Sequence, residues 1–278
     1  MQLVMIDDKF VDSAKVDSAY FDYGTFFGDG VYEFLRSYNG KIFALDEHLE
    51  RFQKSLSEIE IDGIDIDVIR KRVLAVFEKY NKPNVKIYFH VTRGAGIREH
   101  AKEGLTPRFF LTIDEIEDAG VYHKTGIKVI SVPDTRWKRC DIKSLNLLPN
   151  VLAKRVAHRQ GCAEAIFVDD KGYITEGAAS AFFAVFGNVL KTAPLNANIL
   201  PSVTRHFTLQ LASNVGLKVD ESQVRISDIA KADELFQAVS SKDITGIIKF
   251  DDITIGDGKP GKYAKLLAEE FEKLVKER

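Results

Sequence analysis

The sequence predicts a mixed α/β (α+β) fold built as two units, and three observations carry that expectation. Strand-like runs and helix-period stripes alternate along the whole chain, with no repeat and no low-complexity tract. An acidic, polar stretch at 114–124 interrupts the pattern near the middle. The 278 residues suffice for one large domain or two of ordinary size.

The elements follow in order. Residues 31–37 and 41–45 are β-rich and flank Asn39-Gly40, a hairpin signal because both turn positions need positive φ. Asp46 reads as an N-cap, and Leu49, Phe52, Leu56 and Ile59 then recur at helical spacing. A second helix is expected over 65–80, with Ile69, Val73, Val76 and Tyr80 on one face. Strands are expected at 86–91 and 108–113, joined by a long polar loop, 92–106, of the kind that often carries function.

In the second half, a strand at 126–132 precedes a helix at 145–160, closed by Gly161. Residues 163–168, 173–175 and 181–186 read as strands. Pro201 opens a helix that buries Val203, Phe207, Leu211 and Val215, with Gly216 closing it. Strands at 218–224, 234–239 and 244–250 precede a last helix striped by Tyr263, Leu267, Phe271 and Leu274.

Composition excludes several classes. With 45% hydrophobic and 29% charged residues, collagen, coiled coil and general disorder do not fit. A net charge of −2 argues against a nucleic-acid partner, which needs a concentrated basic face. Cys140 and Cys162 are too few for a disulfide scaffold, so a reducing, cytoplasmic setting is expected. The first eight residues lack a basic n-region, and no stretch reaches the length of a membrane span. The six histidines and two cysteines make no H-E-x-x-H or C-x-x-C, so no metal is expected. Phosphate-loop, dinucleotide and serine-hydrolase signatures are also missing.

Several segments together point further. They are Phe27-Gly28-Asp29-Gly30-Val31-Tyr32-Glu33, Glu47-His48-Leu49-Glu50-Arg51, and Val91-Thr92-Arg93-Gly94 with Arg98 and His100 beyond. Arg139-Cys140-Asp141-Ile142-Lys143-Ser144-Leu145-Asn146-Leu147-Leu148 follows Trp137-Lys138, and Thr175-Glu176-Gly177 lies further on. Their pattern resembles the fold-type IV pyridoxal-phosphate (PLP) enzymes over about residues 1–275, and among them the D-amino-acid aminotransferases. The resemblance implies a smaller N-terminal α/β domain (1–118), a linker (119–125) and a larger C-terminal PLP-binding domain (126–278) with a β-barrel-like sheet. It implies a homodimer acting on small amino acids and 2-oxo acids, in which the loop carrying Arg98 and His100 reaches into the partner's site.

It also implies roles that the residue chemistry supports. Lys143 would form an imine with the cofactor aldehyde, and its freed amine would carry the Cα proton. Burial and a cationic neighbour such as Arg139 would favour the neutral, nucleophilic amine. Glu176 would accept a hydrogen bond from the protonated pyridine nitrogen. Arg51 offers a planar fork for phosphate oxygens, and the helix start at Val203 and Thr204 offers free N–H groups. Ser240 and Ser241 would add hydroxyls or be plain turn serines. Leu200 would pack on the ring or be ordinary core. Tyr32, Arg98 and His100 would hold the substrate carboxylate and so select its hand. As part of a random loop, Arg98 and His100 would simply face water.

Trp137 and Arg139 either line the site or serve packing, and Cys140 and Cys162 are expected to be unpaired and non-catalytic. After Gly177 the chain departs from the pattern. Ala178-Ala179-Ser180-Ala181 leaves Ser180 as the one hydroxyl for the cofactor, which implies looser binding. Phe34 would narrow a side-chain pocket if it points inward. Arg36 would favour acidic substrates or be exposed.

The implied reaction is transamination of D-alanine, D-glutamate or similar, with 2-oxoglutarate or pyruvate as acceptor, in two half-reactions through pyridoxamine phosphate. The rivals are a branched-chain L-amino-acid aminotransferase and a lyase of the aminodeoxychorismate type. The lyase would share Lys143, Glu176 and Arg51.

Overall fold

The structure, a computed structural model, describes residues 3–117 and 120–278. β1 (Leu3–Ile6) and β2 (Lys9–Asp12) form a hairpin of their own, followed by the single-turn helix α1 (Tyr23–Phe27). β3 (Gly30–Tyr38) and β4 (Lys41–Ile42) are joined through Asn39 and Gly40, with φ of 49° and 84°, as the Asn-Gly signal requires. α2 (Leu45–Glu58) and α3 (Ile66–Tyr80) cover one face of the sheet that β5 (Val85–Thr92) and β6 (Arg108–Glu115) complete, in the antiparallel order β4-β3-β5-β6. Leu49, Phe52, Leu56, Ile69 and Val73 pack there against Val31, Leu35, Ile87 and Phe89, all buried. Each fully buried side chain of that size stabilises the fold by about 1.5–3 kcal/mol.

The second half contains α4 (Gly120–Thr125), β7 (Ile127–Pro133), α5 (Leu148–Arg159), β8 (Glu164–Val168), β9 (Ile174–Gly177), β10 (Ala181–Phe186) and β11 (Val189–Lys191). α6 (Val203–Leu211), β12 (Lys218–Asp220), β13 (Glu234–Val239), β14 (Asp243–Phe250), β15 (Ile253–Thr254) and α7 (Lys262–Glu277) complete it. Its strands form one curled, half-barrel sheet in the order β12-β11-β10-β13-β14-β7-β8-β9, with β15 on β14. The pairs β11–β12, β14–β7 and β7–β8 are parallel. α6 and α7 bury Phe207, Leu267 and Phe271 against Phe183 and Phe236. α5 reaches the other face through Ala153 and Ala157.

The structure corrects several expectations. Ala44, in the left-handed region at φ 53°, precedes α2 instead of an Asp46 cap, and Asp46 pairs with Arg70 at 2.6 Å. α5 starts at 148, not 145, because the chain before it is spent pairing with β3. Tyr32 N–H donates to Lys143 O (2.9 Å) and Leu145 N–H to Gly30 O (2.9 Å). Of the expected linker 119–125, Gly120–Thr125 is helical and Ala119 lies outside the described residues. β12 ends at Asp220, short of 224. Among the described residues, no helix is long and apolar enough to cross a membrane.

Candidate active site

A cavity of about 760 Å³ lies between the two sheets, lined by residues of both halves. Lys143 lies on its wall. The backbone pairing with β3 fixes it on one side, and Lys143 N–H donates to Ser55 Oγ of α2 at 3.1 Å on the other. Its Nζ stands 4.2 Å from the centre of the Tyr32 ring, which also lines the cavity. Arg139 is not its cationic neighbour. That guanidinium is half exposed and held by Glu58 and Asp141.

Glu176, on β9, is buried at the cavity wall. Its Oε1 accepts from Arg136 Nη1 at 2.5 Å, and Leu200 N–H reaches both carboxylate oxygens at 3.1 and 3.2 Å. Arg136 lies over the Phe167 ring and is itself held by Asp134 at 2.8 Å, which also accepts from Thr175 Oγ1 at 2.8 Å. Burial pushes the Glu176 carboxyl up to about 7 in spite of Arg136. Arg136 and Asp134 were not expected at the site. Their partnership with β9 spans some forty positions of sequence, and no local pattern announces it.

The anion end is built from three elements. Arg51 of α2 donates through Nη1 to Pro201 O (2.9 Å) and through Nε and Nη2 to Glu33 (2.8 and 2.7 Å). Glu33 is fully buried and also 2.7 Å from His48 Nδ1. Burial would raise its carboxyl, but Arg51 and His48 outweigh that and hold it well below the usual range. At the start of α6, Ser202 is the N-cap, accepting from Arg205 N–H, and lines the cavity with Ser240, Ser241 and Leu200. Thr204 Oγ1 lies 3.5 Å from Ser240 Oγ, while the Val203 side chain enters the core and leaves its N–H at the helix start.

Two expected roles change. Ser180 lines the cavity, but its hydroxyl lies 3.1 Å from Gln237 Oε1 and 3.3 Å from Glu164 Oε2. A hydrogen drawn to those oxygens is not free for a phosphate. Arg36 is neither exposed nor a substrate selector. It is buried over the Tyr38 ring, donates to Asp243 and to Ser241 O at 3.1 Å, and so ties the Ser240–Ser241 turn to β3. Arg98 and His100 do not line this cavity. They stand exposed on Phe27, 4.8 and 4.9 Å from its ring centre. Phe34 and Trp137 do line it, and so does Cys140, whose thiol burial pushes up to about 12, too high for a thiolate nucleophile.

A PLP group fits this donor set. The Glu176 carboxyl, buried at the cavity wall, offers an acceptor for a pyridine N–H. A guanidinium, helix-start N–H groups and serine hydroxyls meet the needs of a phosphate. One expectation follows for the cofactor-free protein. A carboxyl raised to about 7 contributes stability that is full below its ordinary 4.5 and lost as pH rises through 7. Between pH 5 and 8, wild type should therefore lose stability relative to Glu176→Gln, read as the difference in denaturant midpoints. A pH-independent difference would contradict this.

Among known proteins, the family described as Amino-transferase class IV matches residues 30–250. The D-alanine aminotransferase of Staphylococcus haemolyticus is 35% identical over 285 positions, covering 100% of this chain and 99% of the relative. That of Bacillus licheniformis is 37% identical over 246 positions, covering 88% and 87%. In structure, the branched-chain aminotransferase of the archaeon Thermoproteus uzoniensis has a TM-score of 0.85 at 23% identity, covering 98% and 94%, a likeness of fold.

Proposed function

Because this chain belongs to the class IV aminotransferases, which depend on pyridoxal phosphate, we propose that it moves amino groups from D-amino acids such as D-alanine or D-glutamate to 2-oxoglutarate or pyruvate. The observation that carries the reading is the convergence of Lys143, Glu176 and the Arg51–α6 anion end in one cavity, in a chain whose full-length relatives bear the D-alanine name. When bound, the cofactor supplies an aldehyde that holds the amino group and a ring that accepts electrons from Cα.

The chain's own residues do the rest. Lys143 Nζ would hold the cofactor and, once released, take the substrate Cα proton as base and deliver it as acid to the aldehyde-derived carbon. Glu176 would keep the proton on the pyridine nitrogen, with Arg136 and Leu200 N–H fixing the carboxylate's direction. Arg51, the Val203 and Thr204 N–H groups, Ser240 and Ser241 would hold the phosphate, and Leu200 would pack on the ring. Tyr32 lies on the Lys143 side of the cavity and would meet the substrate carboxylate.

Arg98 and His100 would complete that carboxylate site from a second copy of the chain, in a homodimer. The exposed stripe Leu148, Leu152 and Val156 on α5, beside the cavity, supports such a partner. With two free cysteines, the cytoplasm is the proposed compartment.

Purified protein given D-alanine and 2-oxoglutarate should yield D-glutamate and pyruvate. Turnover of L-valine or L-leucine with none of the D-isomers would replace this reading with the branched-chain one. Phe34, on the cavity wall, sets the side-chain size. Phe34→Ala should raise kcat/KM for D-leucine relative to D-alanine on the order of tenfold. An unchanged ratio would place Phe34 outside the side-chain pocket.

A further inference from the structure

We propose that Tyr23 is the positioning residue of the carboxylate clamp: its phenol fixes the 97–99 backbone so that Arg98 and His100 stand together on the Phe27 ring. The proposal rests on the reading of Arg98 and His100 as carboxylate-binding residues and adds what makes them a preformed unit.

The loop between β5 and β6 is long, and its base is pinned at several points. Tyr23 N–H donates to Gly94 O (2.9 Å) and Gly96 N–H to Phe21 O (3.0 Å), while Arg93 bridges Asp29 at 2.6 Å. Gly94, at φ 120°, passes so close to the returning strand that a Cβ there would stand 2.2 Å from Thr106 O. The tip is different. Ile97 is 71% exposed, and Arg98, Glu99 and His100 are exposed too.

A buried side chain nevertheless grips that exposed backbone. Tyr23 is 1% exposed. Its hydroxyl lies 2.8 Å from Ile97 O and 2.6 Å from Glu99 O, one hydrogen shared between two carbonyls, and accepts from Glu99 N–H at 3.3 Å. The residue between those carbonyls is Arg98. Its guanidinium and the His100 ring both settle on Phe27, one turn along the same short helix, whose ring also meets Tyr23 edge-on at 5.1 Å. One helical turn thus holds the backbone through its first residue and the Arg98 and His100 side chains through its last.

The consequence is functional more than structural. The carbonyls that Tyr23 serves belong to exposed residues, so losing the hydroxyl should cost the fold less than losing a bond between two buried groups. It frees the tip, and a clamp that must be ordered on binding loses affinity for the carboxylate.

The test is Tyr23→Phe beside Arg98→Ala and the double variant, all as PLP-loaded enzyme. Tyr23→Phe should raise KM for D-alanine and for 2-oxoglutarate together, roughly three- to tenfold for hydrogen bonds of this kind. kcat and cofactor affinity should stay within about twofold, since no cofactor contact changes. In the Arg98→Ala background the Tyr23→Phe effect should vanish. Phe27→Leu, which removes the ring and keeps the bulk, should raise KM in the same way.

If Arg98→Ala raises KM and Tyr23→Phe does not, the proposal falls while the carboxylate reading stands. If Arg98→Ala leaves KM unchanged, the reading itself falls and the proposal with it.

Discussion

A Lys143→Ala protein should lose transamination by at least roughly 10²- to 10⁴-fold, the range expected when a positioned proton carrier is removed, and more if the covalent hold on the cofactor matters equally. The loss should come without unfolding. The Lys143 backbone is fixed through its own N–H and C=O, by Ser55 Oγ and by Tyr32 N–H, and none of these bonds involves the side chain. A thermal midpoint near wild type, with cofactor absorbance present but activity gone, is the expected pair of results. Normal turnover by Lys143→Ala would remove the lysine from the chemistry altogether.

Glu33→Gln should have the largest effect on stability. Glu33 is fully buried and is the shared partner of the Arg51 guanidinium and the His48 ring. Removing one partner of a buried ion pair leaves the other charge uncompensated and costs about 3–5 kcal/mol. That lowers the thermal midpoint on the order of 10 °C for a chain of this size. The pH dependence has a definite sign. A carboxyl held below its ordinary 4.5 contributes stability that is present above 4.5 and lost as pH falls towards its folded value. Wild type should therefore lose its advantage over Glu33→Gln on acidification. Cofactor phosphate, an anion beside Arg51, should restore part of the lost stability, so the cofactor-free form suffers more. Equal midpoints at neutral pH would show that Arg51 does not depend on Glu33.

Much of this arrangement was legible from local chemistry. Asn39-Gly40 announced its turn through the two positive φ values that it needs, and the stripes of α2, α6 and α7 announced their buried faces, whereas on α3 Ile69 and Val73 are buried but Tyr80 is exposed. Lys143 and Glu176 were named through the family resemblance that their segments carry, and both line the cavity.

What escaped the sequence depends on groups that meet only in the fold. Arg136 looks like any polar residue after a strand until β7 brings it against β9 and Glu176. Arg36 looks like a substrate selector until Asp243 and Ser241 O claim it. Ser180 keeps a hydroxyl in the sequence, but Gln237 and Glu164 draw it into the wall. Arg98 and His100 stand on Phe27 of α1, away from this chain's own cavity, in keeping with a loop that serves a partner's site. β1, β2, β11 and α1 are too short for periodicity to register.

The most direct measurement is borohydride reduction of the PLP-loaded protein, followed by peptide mapping. The account predicts one phosphopyridoxyl label, on Lys143, and its loss in Lys143→Ala. A label on another lysine, or an active enzyme that takes up no label, would contradict it.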